Sequence, residues 1–414
     1  MKNSRNEKEE ESIIPPLLPT YARADVGFER GEGAYVFDEA DKKYLDFGSG
    51  IGVSNLGHCH PALVKALCDQ AGKIWHTSNA YRIPGQEKLA AKISAASFAD
   101  TMFFTNSGAE AVECAMKMAR KYHYENGNPE RYRIITFKGS FHGRTLATIA
   151  AAGQEKLTKG FGPMMDAFDH IPFHRDMNKV EKAITHETAA IMLEPVVGEG
   201  GIKPVSAENL QILREICDRH GILLICDEIQ CGMGRTGKLF AYQHSKICPD
   251  ILCTAKGIGG GFPLGACLAT EKVGRAMTTG SHGSTYGGNP LAMAVGNAVM
   301  DIMLEKGFFE QVEEISYQLR TELIKLSKRH ERVIELVRGV GLMLGLKLHV
   351  EPRLFVKKAI KSGLLVIGAA DNTIRILPPL IINEDHVKEA ISILGQICSD
   401  IEKDLPNPED DEEE

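Results

Sequence analysis

Ile222-Leu223-Leu224-Ile225-Cys226-Asp227 is an unbroken apolar run that ends in an acid. A strand with one wet face alternates apolar and polar residues, and this run does not alternate, so both of its faces must be covered. A short run of this kind suits a strand in a parallel sheet with helices on each side. Asp227 then stands where the dry segment ends, an expensive place for an unpaired carboxylate. It needs a cationic or hydrogen-bond-donating partner.

Equivalent runs recur between residues 100 and 270, separated by amphipathic stretches. They are Met102-Phe103-Phe104, Arg133-Ile134-Ile135-Thr136-Phe137, Ala190-Ile191-Met192-Leu193, Ile251-Leu252-Cys253-Thr254 and Gly265-Ala266-Cys267-Leu268-Ala269. The pattern predicts an α/β fold built on a mainly parallel sheet. In open sheets of this kind ligands sit beyond the carboxyl ends of the strands. The residues that follow the runs are Asn106-Ser107-Gly108, Phe141-His142-Gly143-Arg144, Glu194, Asp227 with Gln230, and Lys256. Polar and reactive groups therefore converge on one rim.

The glycine-containing stretch Gly283 to Pro290 closes this region, and a long helical pattern starts at about Leu291. Leu342 to Leu348, Leu364 to Ile367, Thr373 to Ile376 and a last helix from about Asn383 to Asp400 read as a small α+β domain. Strand-like pieces before residue 60, Ala34 to Phe37 and Lys43 to Phe47, complete it. The expected division is a tail over 1–20, an N-terminal segment of the small domain over 21–60, a large domain over 61–290, a linker helix and small domain over 291–402, and an acidic tail over 403–414.

Composition narrows the function. At 414 residues, with 43% hydrophobic and 25% charged residues, the chain reads as an ordinary globular protein, and no apolar stretch approaches the length of a bilayer span. A membrane role is disfavoured. The net charge of −7 arises largely from six carboxylates between Pro406 and Glu414. The rest is nearly neutral, which gives nucleic-acid binding no support. The polar, acid-containing first residues argue against a secretory signal or transit peptide, so the expected compartment is the cytoplasm. Ten cysteines are scattered, several inside apolar runs where reduced thiols act as small hydrophobes. Cys226 with Cys231 and Cys248 with Cys253 superficially suggest zinc, but Cys226 and Cys253 belong to strand-like runs and the spacers are long for a structural site. No metal is expected.

Lys256 emerges from the run ending at Ala255 into Gly257-Ile258-Gly259-Gly260-Gly261. Low dielectric depresses an amine's pKa and yields the neutral form that attacks aldehydes. Ser107-Gly108-Ala109-Glu110 has the form of a capping box. After a strand, at the rim of a parallel sheet, the same helix start serves equally well as a phosphate site. Asp227 is either half of a structural ion pair or an acid that keeps a pyridine nitrogen protonated. Phe141 and Arg144 are either a core ring beside an exposed arginine or, seen with Lys256 and Asp227, an aromatic surface for a flat cofactor and a fork for a carboxylate. Gly283-Ser284-Thr285-Tyr286-Gly287-Gly288 alone signals only a turn. The lysine precedes its glycines, unlike a Walker loop, so ATP binding is a weak reading.

Together these segments resemble the fold-type I pyridoxal-phosphate enzymes and, within them, the class III aminotransferases, over nearly the whole span from Tyr21 to Ile401. Asp46 to Val53, Gly57 to Pro61, Thr105 to Ala111, Phe141 to Arg144, Asp227 to Gln230, Ala255 to Gly257 and His282 to Pro290 carry the resemblance. It implies a large domain with a seven-stranded type of sheet, bound pyridoxal 5'-phosphate, and a homodimer with shared active sites. It makes Lys256 the residue that condenses with the cofactor aldehyde and later carries the proton. Asp227 then pairs with the ring nitrogen, Phe141 stacks on the ring, Gln230 bonds near its phenolic oxygen, and Ser107, Gly108 and Ala109 hold the phosphate. Thr285 completes that phosphate site from the other subunit. Arg144 and Ser284 are implied as contacts to the donor's α-carboxylate, Arg375 as the receptor of the 2-oxoglutarate α-carboxylate, and Glu199 as the acid that covers it in the other half-reaction. The bare alternative for Glu199 is an ordinary loop acid between Gly198 and Gly200.

Ile74 to Asn79 and Gly257 to Ala266 are most similar to acetylornithine aminotransferases, which implies N2-acetyl-L-ornithine as amino donor and, for some relatives, succinyl-diaminopimelate as well. Two departures stand out. Many relatives carry threonine at the position of Ala109, so backbone amides must replace a hydroxyl. Ile51 stands where ornithine aminotransferase-like sequences carry tyrosine, although 4-aminobutyrate aminotransferases share the isoleucine. Other ω-aminotransferases are the nearest rivals, followed by a non-catalytic ligand-binding protein of the same fold.

Overall fold

The structure is a computed structural model and describes residues 16–173 and 177–406. The first fifteen residues of the expected N-terminal tail, and the acidic run Glu409 to Glu414, lie outside the described residues. The runs read from the sequence form a seven-stranded sheet in the order Thr101–Thr105, Gly265–Ala269, Ile251–Thr254, Leu223–Asp227, Thr188–Leu193, Arg133–Phe137, Phe168–Ile171. Gly265–Ala269 runs antiparallel to both neighbours, and the remaining pairs are parallel. Each of Thr188–Leu193, Leu223–Asp227, Ile251–Thr254 and Gly265–Ala269 is buried at every position, which is why their sequences do not alternate.

Successive side chains of a strand point to opposite faces, and the two faces are packed differently. Leu224 and Cys226 join a cluster with Leu210, Leu213 and Ile216 of the helix Ala207–His220. Leu223 and Ile225 join one with Ala111, Ala115 and Ala119 of the helix Gly108–Glu125. Register sets the rim. Cys226 lies beside both Leu193 and Leu252, so Glu194 and Asp227 emerge at one edge, with Lys256 just past the end of the next strand.

Two four-stranded sheets lie outside this layer. Ile334–Val340, Met343–Leu348, Thr373–Ile376 and Ile367–Ala369 form one, entirely antiparallel. Phe28–Glu32, Tyr35–Asp38, Lys43–Asp46 and Leu364–Leu365 form the other, whose last pairing is parallel and joins the N-terminal segment to the C-terminal portion. The run Leu364 to Ile367 thus divides at Val366 between two sheets. The helical pattern from Leu291 is also two elements, Pro290–Met303 and Phe308–Arg329. The first ends at its C-cap Leu304, and Gly307, at φ 94° in the left-handed region that suits glycine, is the N-cap of the second. The last helix, Glu384–Asp404, runs four residues beyond the expected end at Asp400.

Arg235 fastens these parts beneath the site. Its guanidinium donates to the carbonyls of Leu342 and Pro378 and to Asn55 Oδ1, the last at 2.6 Å, while Asn55 Nδ2 donates to Met233 O at 2.7 Å. Complete burial pulls its pKa down to about 9. Arg235→Ala should lower stability by about 3 kcal/mol, because several buried acceptors lose their donor at once. Urea midpoints of the two proteins compare them; an unchanged midpoint contradicts this role.

Candidate active site

Lys256 follows the strand Ile251–Thr254 at φ 50°, in the left-handed region. A non-glycine residue adopts that conformation only where its surroundings enforce it. Gly257 supplies part of that constraint, since a Cβ there would come within 2.2 Å of Asn55 Nδ2. Burial first, then the neighbouring Arg375 guanidinium, depress the amine to about 8, against the opposing pull of Glu199, Glu194 and Asp227.

The partner that Asp227 requires is His142. Asp227 is 2% exposed; its Oδ2 lies 2.7 Å from His142 Nδ1, and its Oδ1 accepts from the Ile229 N–H at 3.1 Å. Burial pulls the imidazole's pKa down, but the hydrogen bond and charge of Asp227, with the charge of Glu194, outweigh it and hold His142 above its ordinary value. Asp227 therefore has in His142 the hydrogen-bonding partner that its burial demands. Sequence reasoning quoted His142 and gave it no task; the signal was available, since a buried acid needs a donor and His142 adjoins Phe141. Glu194 is a second residue left without a role. It accepts from the N–H groups of Phe141 at 2.9 Å and Gly198 at 3.0 Å. Burial raises its pKa to about 7, with His142 and the two amides opposing and Asp227 reinforcing the rise.

The capping box at Ser107 is only half formed. Ser107 Oγ accepts from Glu110 N at 3.3 Å, while the Glu110 carboxylate turns to the N–H of Asn106 rather than that of Ser107. Gly108 and Ala109, the first helical residues, carry amides that have no intrahelical acceptor. A Cβ on Gly108 would come within 2.8 Å of Ile229 Cδ1, so this close approach requires glycine.

Ser107, Gly108, Ala109, Phe141, Asp227, Gln230, Lys256 and Glu199 share one cavity of ≈ 380 Å³. Arg375 reaches its wall through an ion pair between its Nη1 and Glu199 Oε1, and its Nη2 donates to Gly368 O at 3.0 Å. Arg144 is exposed and holds its guanidinium 5.3 Å from the Phe141 ring centroid. Ser284 and Thr285 line a different cavity, with Asn106, Glu110 and Glu113. Within one chain they are not brought to Lys256. Among the described residues no group of three or more His, Cys, Asp or Glu is placed to hold a metal, and no helix is long and apolar enough to cross a membrane.

The donor set fits pyridoxal 5'-phosphate. Gln230 Oε1 is buried without a partner where a ring hydroxyl could donate to it, the free amides suit a phosphate, and Phe141 offers a face to the ring. A helix start, an acid backed by histidine and a depressed lysine on one sheet edge define the fold-type I class of pyridoxal-phosphate enzyme. Comparison narrows this further. Residues 20–398 match the family described as Aminotransferase class-III, and the chain belongs to that family: it is an aminotransferase. It is 55% identical over 377 residues to an acetylornithine aminotransferase of Agrobacterium fabrum, covering 91% of this chain and 94% of the relative. It is 52% identical to one of Rhodobacter capsulatus, covering 94% and 99%. Among solved structures it is similar to the ornithine aminotransferase of Toxoplasma gondii, with TM-score 0.90, 30% identity and 94% of each chain covered. The N-acetylornithine aminotransferase of Stenotrophomonas maltophilia gives TM-score 0.82 and 37% identity, with 93% and 98% covered.

The lysine has a consequence for cofactor-free protein. Its folded pKa of about 8 is below the unfolded value, so the folded state binds the proton more weakly, and the penalty is complete below pH 8. It disappears as pH rises from about 8 to about 10.5. Lys256→Met should therefore stabilise the cofactor-free protein at pH 7 by about 2–3 kcal/mol, after some discount for the solvent reaching the cavity. The gain should vanish near pH 10.5. Denaturant unfolding at the two pH values checks it, and a pH-independent difference contradicts it.

Proposed function

We propose that the chain binds pyridoxal 5'-phosphate in the Lys256 cavity and transfers the terminal amino group of N2-acetyl-L-ornithine to 2-oxoglutarate, giving N-acetyl-L-glutamate 5-semialdehyde and L-glutamate. The observation that carries this reading is the Glu199–Arg375 ion pair on the wall of the cavity that holds Lys256. Sequence identity above half to proteins named acetylornithine aminotransferase supports the choice of donor. This reading places the chain in arginine biosynthesis, with succinyl-diaminopimelate as a second donor in lysine biosynthesis.

When bound, the cofactor supplies an aldehyde and an electron-withdrawing ring. The chain's residues provide the remainder. Lys256, whose amine is depressed to about 8, would hold the cofactor through its aldehyde carbon, with water leaving, and, once a donor amine replaces it there, would carry the proton at the reacting carbon. Asp227, fixed by His142, would accept a hydrogen bond from the protonated ring nitrogen. Phe141 would cover one ring face, Gln230 Oε1 would accept from the ring hydroxyl, and Ser107 with the amides of Gly108 and Ala109 would hold the phosphate. Ala109 contributes no hydroxyl.

The two substrates pose opposite demands at one wall. With Glu199 on Arg375 the wall is neutral and accepts the amino donor; when Glu199 withdraws, Arg375 presents a fork to the α-carboxylate of 2-oxoglutarate. Arg144 and Ser284 take the donor's α-carboxylate. Ser284 and Thr285 enter from a second copy of the chain, which makes the functional unit a cytoplasmic homodimer with shared sites.

One substrate must leave before the other enters. Purified protein with added cofactor, assayed for glutamate on a panel of donors, should prefer N2-acetylornithine over ornithine and 4-aminobutyrate and give parallel double-reciprocal lines. A faster rate with 4-aminobutyrate overturns the donor, intersecting lines overturn the scheme, and no glutamate from any donor overturns the proposal.

A further inference from the structure

Glu194 is a buried acid to which the chemistry above assigns no task. It follows the strand Thr188–Leu193 and is 5% exposed. Its two oxygens are divided between two loops. Oε1 accepts from the N–H of Phe141, beyond the strand Arg133–Phe137, and Oε2 accepts from the N–H of Gly198, in the turn between Val196–Val197 and Lys203–Pro204. Each tethered amide adjoins a working side chain. Phe141 carries the ring that faces the cavity, and Gly198 precedes Glu199, whose carboxylate pairs with Arg375 and whose carbonyl accepts from Ala370 N at 3.0 Å.

The geometry leaves the second loop little room. A Cβ on Gly198 would lie 2.2 Å from Gln230 Oε1, so Gly198 sits hard against a residue of the cavity wall. Hydrogen bonds from amides to a carboxylate in a dry setting are among the stronger ones available to a protein, and a carboxyl group is rigid, so its two acceptors keep a fixed separation. We infer that Glu194 is a positioning residue: one carboxylate pins the Phe141 loop and the Glu199 loop in register, so that Glu199 returns to the same place on Arg375 in every cycle while Phe141 keeps its angle to the ring. This rests on the assignment of Glu199 and Arg375 as the two-substrate switch and of Phe141 as the ring's platform.

The isosteric variant Glu194→Gln tests the pin, because its amide keeps one acceptor oxygen and turns an NH2 group toward the other backbone N–H. Each half-reaction is followed in the holoenzyme by rapid mixing, N2-acetylornithine against the aldehyde form of the bound cofactor and 2-oxoglutarate against its amine form. The donor half-reaction, which needs Glu199 on Arg375, should slow by about tenfold more than the acceptor half-reaction. The visible circular dichroism of the bound cofactor should change as Phe141 loosens. A residue that only supports the fold would lower the melting temperature and slow both halves by the same factor, with the dichroism unchanged, and that result overturns the inference.

Hydrogen exchange on the wild-type holoenzyme gives an answer even if the variant does not fold. The segments around Phe141 and Gly198 should share one level of protection, and clearly different levels overturn the pin. If the wild type holds cofactor yet performs neither half-reaction, the proposed activity fails, while the exchange result still decides the role of Glu194.

Discussion

A primary amine and the acid of a buried ion pair share the wall of one cavity, with a guanidinium behind the acid, and the energy of that arrangement organises the rest of the site. Taken out of water beside Arg375, Lys256 gives up its proton more easily than lysine in solution. A buried guanidinium requires a counter-charge, and Glu199 supplies it. The depressed amine, the ion pair and the demand for two substrates in turn are therefore aspects of one electrostatic problem. In the proposed cycle, a permanently neutralised Arg375 would cost the site its acceptor, and a permanently bare one would repel a cationic donor.

Acids along the rim look alike in sequence and differ in the structure. Asp227 and Glu228 are consecutive, yet strand geometry sends them to opposite sides. Asp227 meets His142 at the cavity, while Glu228 accepts from the N–H groups of Ala241 and Tyr242 in the interior. Burial raises Glu228 to about 8, its two amide donors opposing and Asp227 adding to the rise. Glu194 lies between these cases, buried but tied to both loops of the site. Of the three, only Asp227 is hydrogen-bonded to a side chain that can carry positive charge.

The interior of the sheet was legible because burial on both faces leaves no freedom of composition: Leu223 to Cys226 and Ile251 to Thr254 could hardly be anything but central strands. Phe168–Ile171 was not among the runs read from the sequence. It is an edge strand paired on one side only, and it carries Asp169, which binds Arg133, and His170, so no apolar run marks it. The ends of the sheet announced Asp227 and Lys256 for the same reason that the interior was readable, since a charged group closing a dry strand is conspicuous. His142 and Glu194 were not assigned because the partners that give them their place, Asp227 and Phe141, lie 85 and 53 residues away, separations that only the fold spans. Nor could the sequence foretell that Glu110 would cap Asn106 in place of Ser107, or that one helical pattern would divide into two between Leu304 and Gly307.

The central claim is that the amine of residue 256 is held well below the ordinary lysine pKa by its surroundings before any cofactor arrives. Cofactor-free protein can be pulsed with an amine-selective acylating reagent across a pH series, and modification of Lys256 quantified by peptide mass spectrometry against a surface lysine in the same sample. The account predicts a labelling midpoint near 8 for Lys256, with the surface lysine titrating near about 10.4. A midpoint for Lys256 that coincides with the surface residue's would contradict it.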